Sequence, residues 1–538
     1  MGNPPEGLAT LDLTLAWQRV RGERSQAFIR FPHEVELVEL DLATWLTSIQ
    51  DRINSGAYVP SPAIHCDVPK KKWMIRPGSY VSLTDRVVYT ACVSACLPQI
   101  RKATDWAQGT HDFGYIPTPP LNAPVWFEHP MECWKRFRNR SLSLLRERKY
   151  SAILSSDLVG FYENISIDLL HSDLAQASVH PEINKLIRDC LRMWSPTQSR
   201  DRGLPQSVGA SHLLAKFYFN PIDRALTNGG YTHHRYVDDM MFYCADLNEA
   251  KRVIVELSSL LRGRGLTMHA EKSQIQDPVQ SRVRFEGAQA KIRSILETAA
   301  QDEAESIALA NPYLTIDELN EIISQLKQEV NEEAYVAALR MYFTESTNPE
   351  ESFDKSLFHF ILGGLARKGN RSALQYCLAS FPTHPEETEA ILKYFVKVAQ
   401  TEVPDDQVAD FLSSTSAVYP FQVFQIAEWA LNRSIPLSQK LLSVFRTIAW
   451  DASKPSYLRA TCKAILGQNG EQADLDRLWR SYSEEVTELE RVVTVVSLRK
   501  LERGRRNEFY ASIEKQSDGI HRAVGLAKSL APAHPATA

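Results

Sequence analysis

Two adjacent acids, Asp238 and Asp239, stand inside HHRYVDDMMFYC (233–244), with β-formers on both sides. The pattern predicts strand, tight turn and strand, with the acids at the turn. Two unpaired carboxylates in an apolar β run repel each other and lose hydration, so a fold accommodates them best with a cation between them. A third acid, Asp157, lies 81 residues upstream in YSAILSSDLVGFYENISIDLL (150–170). There a hydrophobic strand ends, and a turn through Gly160 leads into aromatics and a helix start. An acid at a strand end plus an acid pair at a hairpin makes a set of hard oxygen ligands for two divalent cations, as two-metal phosphoryl transfer requires. Taken singly, Asp157 would only cap the next segment, and an Asp-Asp pair in a turn is commonplace.

Between the acids lies GLPQSVGASHLLAKFYFNPIDRAL (203–226), where Gly203, Ser207, Gly209 and Ser211 open an apolar helix. Such an entry lets backbone come close to a base or sugar, and Gln206 can donate to it. Further on, GLTMHAEKSQI (265–275) places Lys272 in a turn after a helix, where a cation can stabilise or protonate a leaving group. Two basic clusters precede these blocks: KKKWMIR (70–76), and KRFRNRSLSLLRERK (135–149) with seven cations against Glu147. With Trp73, Trp134 and Phe137 nearby, both suit a surface that tracks phosphates and stacks bases, while a solvated helix face is the plainer reading of 135–149. Hydrolase chemistry is disfavoured, because no nucleophile-elbow sequence occurs. His233 and His234 are expected to be solvent-exposed or near a phosphate rather than catalytic.

These blocks need a scaffold. The chain has 538 residues, 44% of them hydrophobic and 23% charged, which fits two or more globular domains and excludes collagen-like, coiled-coil and disordered classes. Short β-like runs (151–156, 231–237, 240–244) alternate with helices up to about residue 290. Beyond it, amphipathic helices follow one another, as at 316–329, 386–400 and 471–482. Helix starts near Pro385, Pro420 and Pro455 are 35 residues apart, which suits stacked helix pairs, with a non-repetitive bundle as the alternative. The net charge of −4 divides unevenly: 36 Lys/Arg against 31 Asp/Glu in 1–295 gives +5, and 25 against 34 in 296–538 gives −9. Eight scattered cysteines without a CxxC pair predict free thiols and no zinc site. With no secretory, lipidation or membrane-span pattern, the expectation is a cytoplasmic protein without membrane contact.

The order of blocks — acid strand, Gln loop and helix, acid hairpin, lysine turn — resembles the reverse transcriptases. DLVGFYENI is similar to their motif A, GLPQSVGAS to motif B, YVDD to motif C and GLTMHAEKS to motif D. VPKKKWMIRPGSYVSLTDRVVYTACVSACLPQI (68–100) resembles their fingers region. The resemblance covers roughly residues 60–280. It implies an α+β fingers and palm of the right-hand polymerase kind, followed by an all-α, HEAT-like helical-repeat domain. The expected division is 1–60 as a helical extension of the fingers, 61–290 as fingers and palm, and 291–538 as thumb-like and repeat helices.

The resemblance also implies roles. Asp157, Leu158, Asp238 and Asp239 would form the ligand set for two Mg²⁺ ions, with Mn²⁺ as a substitute. Tyr162 would lie under the incoming sugar and crowd a 2′-hydroxyl, favouring deoxynucleotides. Gln206 and Ser211 would shape the dNTP pocket. Lys72 and Arg76 would pair with the triphosphate, Lys70 being an alternative to Lys72, and Lys272 would be the general acid. Three residues depart from motif B: Ser207 replaces the usual Gly, and His212 and Lys216 stand where many members have Pro and Asn. VRFEGAQ (283–289) is a weak primer-grip candidate, and retron or maturase signatures are not visible.

A polymerase core followed by helices resembles the bacterial abortive-infection and unknown-group enzymes linked to phage defence. The implied function is Mg²⁺-dependent, RNA-directed DNA synthesis from dNTPs with pyrophosphate release, in antiviral defence. Implied partners are an RNA template or associated non-coding RNA, a second copy in a homo-oligomer, and DNA attached covalently to the protein. Two other readings stand beside it: template-independent or protein-primed synthesis by the same site, and a catalytically idle scaffold that binds RNA and protein.

Overall fold

The computed structural model describes residues 7–195, 201–282, 285, 336, 353, 355–398, 404–485 and 487–531. The chain divides into two compact units. The first comprises 1–30, 41–66 and 77–285, and the second 31–40, 67–76 and 286–538. Strands β1 (Ile64–Pro69) and β2 (Ile75–Tyr80) form a two-stranded sheet whose tip belongs with the second unit.

The first unit is built on an antiparallel sheet of order β4-β5-β3-β6, with β3 at Ala152–Ser156, β4 at Thr232–Tyr236, β5 at Asp239–Cys244 and β6 at Gln274–Gln276. All five residues of β3 are buried, as are the last five of β5, so these central strands are covered on both faces. After Asp239 the text of β5 is accordingly a continuous apolar run, and β3 follows three apolar residues with the buried Ser155 and Ser156.

The helices in chain order are α1 (Leu13–Gly22), α2 (Glu34–Glu39, with the second unit), α3 (Leu42–Asn54), α4 (Leu83–Thr104) and α5 (Pro130–Leu144). They continue with α6 (Phe161–Asn164), α7 (Ile167–Gln176), α8 (Pro181–Trp194), α9 (Gly209–Asn228) and α10 (Leu247–Gly263). Several helix starts have a local cause: Ser82 accepts from Asp85 N at α4, Asp246 from Glu249 N at α10, and Pro181 follows the His180 cap of α8. Helix α10 packs on β3 and β5, α9 on β4 and α4, and α5 on β4. Ile153, Met241 and Tyr243 meet Phe113, Phe137, Leu142 and Phe285 in one hydrophobic core.

Helix α5 carries the basic run. It buries Cys133, Phe137, Leu142 and Leu144, while Lys135 pairs with Glu132, Arg136 with Glu128, and Arg138 donates to Phe285 O. Arg140, Arg146 and Arg148 are exposed. The run is an amphipathic helix face, part of its charge neutralised by neighbours.

In the second unit, helices pack on the helix two places further along. Lys355–Lys368 lies on Thr388–Val398, which lies on Pro420–Leu431, which lies on Ser456–Asn469, then Glu488–Ser497 and Asp518–Ser529. The starts expected near Pro385, Pro420 and Pro455 fall at helices beginning at 388, 420 and 456. Gly467 permits the closest approach: a Cβ there would lie 2.4 Å from Ser497 Cβ. Buried ion pairs stitch successive layers, including Arg433–Asp405, Lys463 with Glu485 and Glu490, and Arg459–Glu490. The expected helix at 316–329 and most of the primer-grip candidate (283–289) lie outside the described residues. All eight cysteines are free and buried, and among the described residues no helix is long and apolar enough to cross a membrane.

Candidate active site

The hairpin at the acids is closed by a two-residue turn, Val237-Asp238, between β4 and β5, with Val237 at φ 61°. A β-branched residue in the left-handed region is strained, so other contacts must hold this turn. Arg235 provides them. Its guanidinium donates to Val237 O (3.0 Å), to both carboxylate oxygens of Asp223 (2.9–3.1 Å) and to Asp112 Oδ2 (2.8 Å). Lys216 adds a second cation, donating to Asp112 Oδ2 (2.6 Å) and Gly114 O (3.0 Å). All four charged groups are buried. Two acids matched by two bases satisfy what neither pair could sustain alone in the interior. Lys216, a cation set among apolar residues of α9, is a signal that could point to a buried acid partner; Asp112 carries none.

Asp157 immediately follows β3. The register Ser156↔Met240, continued by one residue, brings Asp157 level with Asp239 at the mouth of the hairpin. Asp157 is fixed from behind, because its carbonyl accepts from His269 N (2.8 Å) and Val159 N donates to Thr267 O (2.9 Å). Its Oδ1 accepts from Leu158 N (2.9 Å), and its Oδ2 accepts from Lys272 Nζ at 2.5 Å. Motifs A and D are thus laced together by backbone bonds and by an ion pair between the acid and the lysine. Leu158 is buried and has only its carbonyl to offer an ion.

Burial, the Asp157 charge and the Asp239 charge push Asp238 up to about 6. The three carboxylates are therefore near enough to repel, and they fit a hard divalent cation in charge and donor type. Among the described residues, no group of three ligating side chains is already gathered as a metal centre.

Gln206 lines a small cleft of the first unit with Phe28, Tyr80, Arg86 and Ser207. Ser207 has φ 64°, so the serine holds the left-handed backbone for which glycine is the ordinary residue. Two residues on, Gly209 N donates to Glu23 Oε2 (2.9 Å), and a Cβ on Gly209 would lie 2.0 Å from Glu23 Oε1. Helix α9 is thus capped by a carboxylate from far along the chain, which local spacing cannot show.

Ser211 is wholly buried, with its hydroxyl 3.2 Å from Tyr89 Oη, so it ties α9 to α4. One expectation is corrected. His233 and His234 are buried, not exposed. His233 stacks on Phe242 and lies 3.6 Å from Asp223, while His234 Nε2 is 2.8 Å from Ser141 Oγ and burial pushes its imidazole down to about 3.

Tyr162 is half-buried at the start of α6, with its hydroxyl 2.6 Å from His212 Nδ1. Lys70 and Lys72 are exposed at the tip of the β1–β2 sheet and Arg76 is half-buried there; Lys72 and Trp73 have positive φ. Within the second unit, this tip meets Tyr419, whose hydroxyl donates to Trp73 O (2.9 Å), and Phe353, whose ring faces the Lys71 ammonium at 5.9 Å.

An acid at a strand end, acids at a β-hairpin turn and a lysine bound to the first acid thus come together in the first unit. Residues 68–290 match the family model described as reverse transcriptase (RNA-dependent DNA polymerase). The match indicates a reverse transcriptase domain of the nucleotidyltransferase class over those residues. No curated protein matches the chain. Among solved structures, it is similar to telomerase from Candida albicans in complex with a TWJ fragment of telomeric RNA: 12% identity, TM-score 0.30, covering 70% of this chain and 65% of that one. It is also similar to the corresponding telomerase from Candida tropicalis: 10% identity, TM-score 0.30, covering 78% and 67%. The chain thus spans less than two thirds of the first telomerase.

Proposed function

We propose that this protein is a Mg²⁺-dependent reverse transcriptase that extends a 3′-hydroxyl with deoxynucleotides on an RNA template. The observation that carries the reading is the convergence of Asp157, Asp238 and Lys272 inside the matched domain. Asp157, Asp238 and Asp239, with the Leu158 carbonyl, are the groups that would hold Mg²⁺. Bound there, the ion supplies positive charge to the reacting hydroxyl, the α-phosphate and the leaving oxygens. Asp157 and Asp238 would orient that charge from the end of β3 and from the β4–β5 turn. Lys272 leaves Asp157 and gives a proton to the departing pyrophosphate. Gln206 contacts the nucleotide.

The test is incorporation of dNTPs on a primed RNA template. Asp238→Asn should abolish it while the circular dichroism spectrum is unchanged; retained incorporation would overturn the assignment. Mg²⁺ titration with Mn²⁺ substitution tests the ion.

The role in antiviral defence rests on the resemblance to abortive-infection enzymes, supported by the stacked helices that follow the palm and suit a HEAT-like repeat. Phage plating on cells carrying the wild type or Asp238→Asn tests it: equal plating on both refutes an enzymatic role in defence. Product from single dNTPs without template, or DNA that stays with protein through denaturation, would instead identify untemplated or protein-primed synthesis. Sedimentation tests the homo-oligomer.

A further inference from the structure

Tyr162 does not present its hydroxyl to the site. The phenol is bonded to His212 Nδ1 at 2.6 Å, the two rings lying edge to face at 5.4 Å and 85°. His212 is nine-tenths buried, and burial pushes its imidazole down to about 3 while pushing the Tyr162 phenol well up. Across the working pH range the bond therefore joins a neutral imidazole and a neutral phenol. His212 is itself pinned: its ring lies flat on Tyr115, with centroids 4.0 Å apart at 5°.

Tyr115 belongs to the segment that braces the acid turn. Asp112 binds Arg235 and Lys216, and Gly114 is wedged against Val237, where a Cβ would stand 2.8 Å from the Val237 nitrogen. Tyr115 follows at φ 47° and packs its other contact on Phe127 at 5.3 Å. The Asp238 charge acts on both phenols, Tyr115 and Tyr162, so both rings lie beside the acid turn.

The sugar of a nucleotide is joined directly to its α-phosphate. A nucleotide reacting at Asp157 and Asp238 therefore sets its sugar against the nearest wall, and the ring five residues past Asp157 is Tyr162. A ring rejects a 2′-hydroxyl only if it cannot swing aside. Swinging here would break the bond to His212, and His212 cannot follow because Tyr115 covers it.

We propose that His212 and Tyr115 are positioning residues for sugar selection, clamping Tyr162 so that ribonucleotides are refused. The inference rests on the reading of Tyr162 as the residue beneath the sugar.

The experiment compares kcat/KM for each dNTP and its rNTP with the full chain, in the wild type and in Tyr162→Ala, Tyr162→Phe, His212→Ala and His212→Asn. The readout is the dNTP/rNTP ratio. Tyr162→Ala should collapse it. His212→Ala and Tyr162→Phe should each lower it roughly tenfold, the scale of one buried hydrogen bond. His212→Asn, which can still accept from the phenol, should recover much of it. A fall in dNTP and rNTP use by the same factor, with the ratio unchanged, is the signature of general destabilisation and overturns the clamp. If Tyr162→Ala collapses the ratio but His212→Ala and Tyr162→Phe keep it whole, the clamp is overturned and the reading of Tyr162 stands. An unchanged ratio in Tyr162→Ala overturns both.

Discussion

Arg235 donates through Nη1 to the carbonyl of Val237, one residue before Asp238, at 3.0 Å. The bond ties the strained turn that presents Asp238 to a buried lattice of Asp112, Asp223 and Lys216. Removing one member of a buried ion cluster leaves charge uncompensated, which costs about 3–5 kcal/mol. Arg235→Ala should therefore lose that order of unfolding free energy in urea, and incorporation should fall with it. Arg235→Lys keeps the charge without the bond fan to Val237. Its expected result is a milder stability loss with a raised half-saturating Mg²⁺, measured by Mn²⁺ binding as well as by activity.

Asp238 gives a pH dependence of definite sign. Its carboxyl is raised from the ordinary 3.8 to about 6, so the folded chain holds this proton more tightly than the unfolded chain. The stability this group contributes is fully present below 3.8 and is lost as pH rises through about 6. In metal-free protein, the thermal midpoint of Asp238→Asn should exceed that of the wild type at pH 7, and the gap should shrink towards pH 4. Mg²⁺ should stabilise the wild type at pH 7 and lose its effect below about pH 6, where the carboxyl protonates.

Lys272 is held by Asp157 and sits in a turn that is otherwise exposed. Lys272→Met should leave folding intact and slow the chemical step by roughly 10²–10³, the usual contribution of a positioned general acid. Lys272→Arg should restore little, because arginine does not release a proton at working pH. Pre-steady-state incorporation with saturating dNTP measures this directly.

Gly209 and Ser207 make opposite cases at the same loop. Gly209→Ala places a methyl on the Glu23 carboxylate and should destabilise the fold by about 1–3 kcal/mol. Ser207→Gly relieves a side chain at φ 64° and should be neutral or stabilising by up to about 1 kcal/mol. Retention of templated synthesis in Ser207→Gly would show that the serine departure carries no change of mode. Urea denaturation beside primed-template incorporation separates the two effects.

Gly467 reports on the helical half independently. A Cβ there meets both Cα and Cβ of Ser497, so Gly467→Val should spread Ser456–Asn469 from Glu488–Ser497 and lower the midpoint of that unit. Proteolysis of this region, followed by mass spectrometry, is the measurement.

The acid hairpin, the strand ending at Asp157 and the Lys272 turn were legible in the one-dimensional text. Their residue types and short spacings follow from local rules: β-formers bracket a turn, and an apolar run ends where an acid must face water or an ion. The 35-residue spacing of prolines likewise foreshadowed helix starts that stack. None of those rules could place Asp112 and Asp223 on Arg235, Glu23 on the first turn of α9, or Tyr115 on His212. These partners lie from 12 to 186 residues apart, and burial selects them because an unpaired charge or hydroxyl in the interior is costly. The same pressure turned Ser211, His233 and His234 inward, against what their polarity suggested. Composition and spacing name the groups that can do chemistry; which of them face the site, and what holds them there, is settled by long-range packing and the pairing of buried polar atoms.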